Sequence, residues 1–258
     1  MTHATRFGYA QARLQARLGG LPDDADWRRL ESSASLAHFL QSARKGPLRP
    51  WLQEIGPHST AHDVERALRS RLREEIAAVA RWLPGEWRTA VEWSGRLLDL
   101  PALELLFEGA ALPAWLHEEP ALAEFASDVP QLRSQALEES DCAPLLEQWR
   151  AGTALPEAWR LEWRSRWPAV PPAQRANLDA VEARFLEHRE SLTRPQMDGP
   201  AARDRLADGL LRVFRRHPAQ PAAAFAYLGL VALMLARLRA ALLHRMLFVD
   251  GGTGESAA

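Results

Sequence analysis

The run Ala222–Phe248, AAAFAYLGLVALMLARLRAALLHRMLF, followed by Asp250-Gly251-Gly252, decides how this chain is read. Phe225, Leu228, Val231, Leu235, Leu238, Leu242 and Met246 recur at steps of three and four, the spacing of one helix face. From Ala222 to Ala236 the segment is apolar on every side, the pattern of a helix enclosed by other helices or by lipid. A membrane span needs about 20 mostly apolar residues. Arg237 and Arg239 interrupt the run before that length is reached. The expectation is therefore a core helix that the rest of the chain covers.

The upstream sequence supplies the covering helices. Phe7, Ala10, Leu14 and Leu18 mark one face of a first helix, and Gly19-Gly20 predicts a left-handed C-terminal stop. Asp26 offers a cap to a helix carrying Trp27 and Leu30, and Ser33–Ser35 to one carrying Leu36, Phe39 and Leu40 that ends at Gly46-Pro47. The clearest amphipathic pattern follows Ser59-Thr60-Ala61-His62-Asp63: Val64, Leu68, Leu72, Ile76, Val79 and Leu83, broken by Pro84-Gly85. A further piece with Trp87, Val91 and Leu97 leads to Pro101 and ends at Gly109.

Between Ala111 and Pro172 the prolines at 113, 120, 130, 144, 156 and 168 predict short helices. Leu178, Val181, Phe185 and Leu192 then define a long helix. After the linker Arg194–Pro200, Leu206, Leu210, Val213 and Phe214 define another that closes at His217-Pro218. No segment shows sustained period-two alternation bounded by hairpin turns, so the expected fold is all-α, an array of repeated helical modules. The expected divisions are an N-terminal helical module over 1–110, a Pro- and Trp-rich middle over 111–200, a C-terminal helical hairpin over 201–250 and a disordered tail over 251–258.

Composition narrows the function. The 258 residues are 47% hydrophobic, enough for a substantial core, and the formal net charge of -1 lacks the cationic surplus that general nucleic-acid binding requires. Lys45 is the single lysine among 32 basic residues. Cys142 is the single cysteine and the N-terminus has no signal-peptide core, which points to a reducing, cytoplasmic setting.

No constellation predicts catalysis. Asp23, Asp24 and Asp26 follow Gly19-Gly20-Leu21-Pro22 and read as a solvated turn with a helix cap, against a diphosphate–magnesium site. His58 and His62 have metal-ligand spacing beside Asp63, but Pro57 places His58 ahead of the helix and no third ligand is evident. Neither a glycine-flanked nucleophile elbow nor a phosphate-cradling glycine loop with lysine is present. The expectation is a non-enzyme with no cofactor and no metal. Trp159, Trp163 and Trp167, four residues apart and interleaved with Arg160, Arg164 and Arg166, share a helix face. An aromatic stripe of this kind fills a core; it also suits a protein interface, which makes these three the candidate partner-binding residues.

The order of these segments resembles a known family. Val64–Pro84 followed by an apolar hairpin through Gly109 is echoed by Ala201–Pro218 followed by Ala222–Phe248. Arg96–Gly109, RLLDLPALELLFEG, is similar to a segment found in the C subunit of V-type/A-type ATPases, with Asp99 and Gly109 in place and the family's asparagine missing. Tyr9–Arg17 is similar to that family's tyrosine-to-arginine opening, and Leu30, Ser35-Leu36, Leu40 and Trp51-Leu52 continue its spacing. Tyr227-Leu228, Leu238-Arg239 and Arg245 resemble its terminal helix, although the family's glutamates are absent between Leu228 and Ala236. The chain thus resembles a divergent, shortened member of this C-subunit family. The resemblance implies a non-catalytic connector on the cytoplasmic face of a membrane rotor ring, receiving the central stalk of a proton- or sodium-translocating ATPase. Its membrane contact would run through protein partners.

Overall fold

The computed structural model describes residues 3–33, 35–109, 111–192 and 199–248. All regular structure among them is helical, as expected. The expected tail over 251–258 lies outside the described residues. The chain divides into two compact units, one made of Met1–Gly85 together with Val170–Ala258, the other of Glu86–Ala169. The sequence-based divisions at 110 and 200 follow breaks in pattern, whereas these units follow packing and change at 85 and 170.

The first unit holds α1 (His3–Gly19), α2 (Asp24–Glu31), α3 (Leu36–Ala43) and α4 (Ala61–Trp82) from the N-terminal part of the chain. The second holds α5 (Arg88–Trp93), α6 (Leu100–Glu108), α7 (Ala114–His117), α8 (Pro130–Glu138), α9 (Ala143–Arg150) and α10 (Leu155–Ser165). The chain then returns to the first unit with α11 (Pro172–Leu192), α12 (Gly199–Arg216) and α13 (Pro221–Phe248).

The helix starts follow local chemistry. Asp23 and Asp26 form a reciprocal capping box at α2, with the Asp26 N–H donating to Asp23 Oδ1 at 2.8 Å and the Asp23 N–H to Asp26 Oδ2 at 3.2 Å. Thr60 and Asp63 repeat the device at α4 (3.1 and 2.9 Å). The Thr60 N–H is the main reason the Asp63 carboxyl sits below the usual range. Gly109 ends α6 in the left-handed region at φ 71°. The left-handed stop expected at Gly19-Gly20 is not how α1 ends. Gly20 N–H donates to the Arg17 carbonyl and Leu21 N–H to that of Leu18 (3.1 and 3.2 Å), so a tightened last turn satisfies the carbonyls instead.

In the first unit α13 is the common core element, packed chiefly against α12 and α4 and also against α11, α1 and α3. Every residue from Ala222 to Leu228 is buried. Further along, burial narrows to Val231, Met234, Leu235, Leu238, Leu242 and Arg245. The expected face is therefore correct except at its end, where Met246 is half-buried and the neighbouring Arg245 is enclosed. A Cβ at Gly229 would meet Leu210 Cδ1 at 2.7 Å and Phe185 Cζ at 2.9 Å, so glycine is what lets α13 lie this close to α12 and α11. All six apolar residues expected on α4 and its exit, Val64 to Leu83, are buried.

By length and composition Pro221–Leu247, whose most apolar 18-residue window has a mean hydropathy of 1.7, also meets the requirement for a membrane span. Half of its most apolar window is buried within the protein. The helix also carries polar groups engaged with other helices of its unit: Tyr227 with Glu75 and Arg237 with Glu31, at 2.6 Å each, and Arg239 with Glu65. These are the contacts of a core helix.

Candidate functional site

Trp159, Trp163 and Trp167 come together inside the second unit. The Trp159 and Trp163 rings stack at 5.7 Å with 13° between planes, and Trp167 meets Trp163 edge-on at 4.9 Å. Trp163 and Trp167 are buried, and Trp159 is half-buried. Trp93 completes the group through a reciprocal pair of hydrogen bonds: its indole N–H donates to the Trp159 carbonyl at 3.3 Å, and Trp159 returns one to the Trp93 carbonyl at 3.2 Å. The Arg166 guanidinium lies 3.9 Å from the centre of the Trp93 ring. In this arrangement the stripe fixes α10 against α5 and presents little area to a partner.

The other chemical candidates are placed as follows. Asp23 and Asp26 are engaged as a cap. His58 precedes α4 and His62 lies in its first turn, on either side of the Thr60 cap. Among the described residues no three His, Cys, Asp or Glu side chains are grouped as metal ligands. Cys142 is buried, and burial pushes its thiol up to about 12, so it stays protonated at neutral pH. Beside it Arg96 is raised by the carboxylates of Asp141 and Asp99, against the lowering effect of burial. Its Nη2 binds Asp141 Oδ1 at 2.7 Å and its Nη1 reaches Asp99 Oδ2 and the Ala121 carbonyl at 3.4 Å, joining three segments of the second unit.

The candidate site is a cleft of about 420 Å³ in the first unit, walled by Arg17, Trp51, Arg71, Glu74, Glu75 and Arg81. Its volume falls in the range of small-ligand and peptide-side-chain pockets. α4 supplies one wall because Arg71, Glu74, Glu75 and Arg81 recur at helical spacing, and α1 brings Arg17 from across the cleft. Glu75 is buried at the base. Its Oε1 accepts from the Tyr227 hydroxyl at 2.6 Å, and Arg17 Nη1 lies 3.8 Å from Oε2. Arg71 donates to Glu74 (2.7 Å), Glu54 (2.8 Å) and Gln53 (2.9 Å), fastening the segment before α4 onto the helix.

Burial, followed by the bond to Glu75, raises the Tyr227 phenol well above its ordinary value, so the hydroxyl remains a donor throughout the physiological range. This phenol therefore orients a carboxyl group and does not act as an acid or base. The cleft has guanidinium groups that suit recognition of an anion and no activated nucleophile.

Sequence reasoning did not single out Glu75, Arg71 or Arg81. A usable sign existed for Glu75, which stands three residues after Leu72 and four before Val79 on the apolar face of α4. A charged residue in that register demands a buried partner. Tyr227 is 152 residues away, and no local rule connects the two. Comparison of the chain with protein-family models, with curated proteins and with solved structures gives no match. The likeness to the C subunit of rotary ATPases accordingly rests on the order of the motifs in the sequence.

Proposed function

We propose that this protein is a non-catalytic connector of the C-subunit kind, joining the central stalk of a V-type/A-type rotary ATPase to its membrane rotor ring on the cytoplasmic face. The observation that carries the reading is the anchoring of α13 along its length. Tyr227 is tied to α4, Arg237 to α2, Arg239 again to α4, and Arg245 to the end of α2 and the turn after it. Tyr227 and Arg245 are separated by about 27 Å of helix at 1.5 Å per residue. A long, close-packed helix held at several levels has low compressibility and transmits strain with little loss. That property is what a torque-bearing connector needs.

The test is isolation of the tagged chain from its native membranes in mild detergent. Rotor-ring and central-stalk proteins are expected to accompany it. Their absence while the tagged chain is recovered intact would overturn the reading.

A stand-alone helical adaptor is the second reading, favoured by one observation. Leu228, Val231, Met234 and Leu235, in the stretch where the family usually carries glutamates, are buried within the first unit. On this reading the same isolation yields the chain with a stable partner that belongs to no motor.

A further inference from the structure

The arginines of the first unit are not used alike. Most on α4 and α13 spend their charge inside the protein: Arg66 pairs with Asp63 at 3.3 Å, Arg69 with Glu65 at 3.0 Å, Arg71 with Glu54 and Glu74, and Arg237 with Glu31. Along one line on the surface this pairing stops. Arg13 on α1 and Arg81 at the end of α4 have no carboxylate partner among the described residues, and Arg17 reaches Glu75 only at 3.8 Å while half of its side chain stays in solvent.

Aromatic rings lie against two of these guanidinium groups, those of Arg13 and Arg17. Arg13 lies 5.2 Å from the centre of the Tyr9 ring and 5.9 Å from that of Trp82, and Arg17 lies 5.8 Å from Trp82. A cation held against a ring face loses less freedom when it later binds, and it keeps its N–H fork for a planar anion. Tyr9 is itself 56% exposed. Arg17 and Arg81 line the cleft, so the strip and the cleft are one continuous surface.

We propose that Tyr9, Arg13, Arg17, Trp82 and Arg81, with the adjoining cleft, are the docking surface for an acidic segment of a partner protein. Charge complementarity selects the occupant: unpaired guanidinium groups match carboxylates in bidentate geometry. Length excludes a lone phosphate, because Tyr9 to Arg17 extends about 12 Å along α1 before the cleft begins. A nucleic-acid strand calls for a broad cationic surplus, and the chain, with a net charge of -1, has only this short strip. Arginine and aromatic residues together are also the usual composition of energetic centres in protein interfaces. The inference rests on this surface and not on the connector reading, so co-isolation from membranes and the experiment below can fail separately.

The experiment uses the full chain and a short fluorescein-labelled polyglutamate peptide, followed by anisotropy at low and moderate salt. The peptide is expected to bind and to weaken as salt rises, while its polyglutamine counterpart does not bind. The Arg13→Glu/Arg81→Glu double variant is expected to lose about tenfold or more in affinity. It should stay folded with a melting temperature lowered by only about a few degrees, because both side chains are exposed and only the Arg13 ring contacts and the Arg81 charge at the end of α4 are lost. Arg189→Glu, a charge reversal at an exposed site on α11, is expected to leave binding unchanged. Absence of peptide binding, or full affinity in the double variant, overturns the proposal. So does inorganic phosphate or single-stranded DNA binding through the same arginines more tightly than the peptide.

Discussion

The hydroxyl of Tyr227 on α13 donates to the carboxyl group of Glu75 on α4 at 2.6 Å, with both side chains buried. This bond joins the two longest helices of the first unit, and its acceptor Glu75 lines the cleft. Removing the donor leaves an acidic group enclosed without its principal partner, the costly half of the exchange. Tyr227→Phe is expected to destabilise the first unit by about 1.5–3 kcal/mol in chemical denaturation. The double variant Tyr227→Phe/Glu75→Leu is expected to recover part of that loss, because two apolar groups need no partner. A single variant that unfolds like the unaltered protein would show that the bond adds nothing.

Arg245 closes a different seam. Its guanidinium donates to the carbonyls of Ser33 (3.0 Å), Leu30 (3.2 Å) and Glu31 (3.4 Å), to Ala241 in its own helix (2.7 Å), and lies over Phe39 at 4.4 Å. The fork adds donors to the carbonyls where α2 ends, of which that of Leu30 also accepts from the Ser33 N–H. Lysine lacks the fork, so Arg245→Lys is expected to cost about 2 kcal/mol or more and to speed amide exchange in α2 before α12. Equal exchange in both helices would contradict this role.

Gly229 sets the approach of α13. Alanine there gains about 1 kcal/mol of helix propensity but places a methyl against Leu210 and Phe185, so the two effects nearly cancel. Leucine has no room. Gly229→Leu is expected to lower stability by about 3 kcal/mol, by extension of the penalty for overpacked cores. Thermal melting of both variants checks the contrast, and a Gly229→Leu protein that melts unchanged would rule the crossing out as a tight one.

Cys142 provides a pH-dependent test of the second unit. Its thiol is raised by burial from 9.0 to about 12, so between those values the unfolded chain releases a proton that the folded chain retains. Its contribution is therefore complete below pH 9 and declines as pH rises toward 12. Alkylation by iodoacetamide at pH 8 is expected to be slow in the native protein and rapid in denaturant. Cys142→Ser should not make stability more resistant to acid, since the window lies on the alkaline side.

The indole group can be tested directly. Trp163 is buried between Trp159 and Trp167, and Trp163→Ala is expected to cost about 3–5 kcal/mol in the second unit. If partner binding were its main role, the variant would keep its stability and lose only an interaction.

Local pattern determined a great deal. The period of α4 and α13 gave their buried faces because an amphipathic helix has few ways to hide its apolar side. Thr60, in the stretch expected to cap α4, does start that helix because short polar side chains reach backbone N–H groups only there, whereas at α2 the expected cap Asp26 is the third helical residue and Asp23 takes the cap position. Spacing alone placed Trp159 and Trp163 on one face of α10, while Trp167, expected to continue that face, lies past the helix end at Ser165. The meaning of that spacing came later, when Trp93, 66 residues earlier in the chain than Trp159, supplied the reciprocal hydrogen bonds.

What sequence by itself determined was therefore an all-helical chain with α13 as its longest apolar helix, since composition and period act within a few turns. Tertiary structure decided that the chain leaves the first unit at Gly85 and re-enters it at Val170. It decided that Arg245 rather than Met246 faces inward, that Glu75 meets Tyr227, and that Arg13 and Arg81 are left without a carboxylate among the described residues. Each of these depends on which distant helix arrives beside a given side chain. Helical periodicity carries no information about that, because packing between segments far apart in the chain is chosen by the whole core and not by any one stretch.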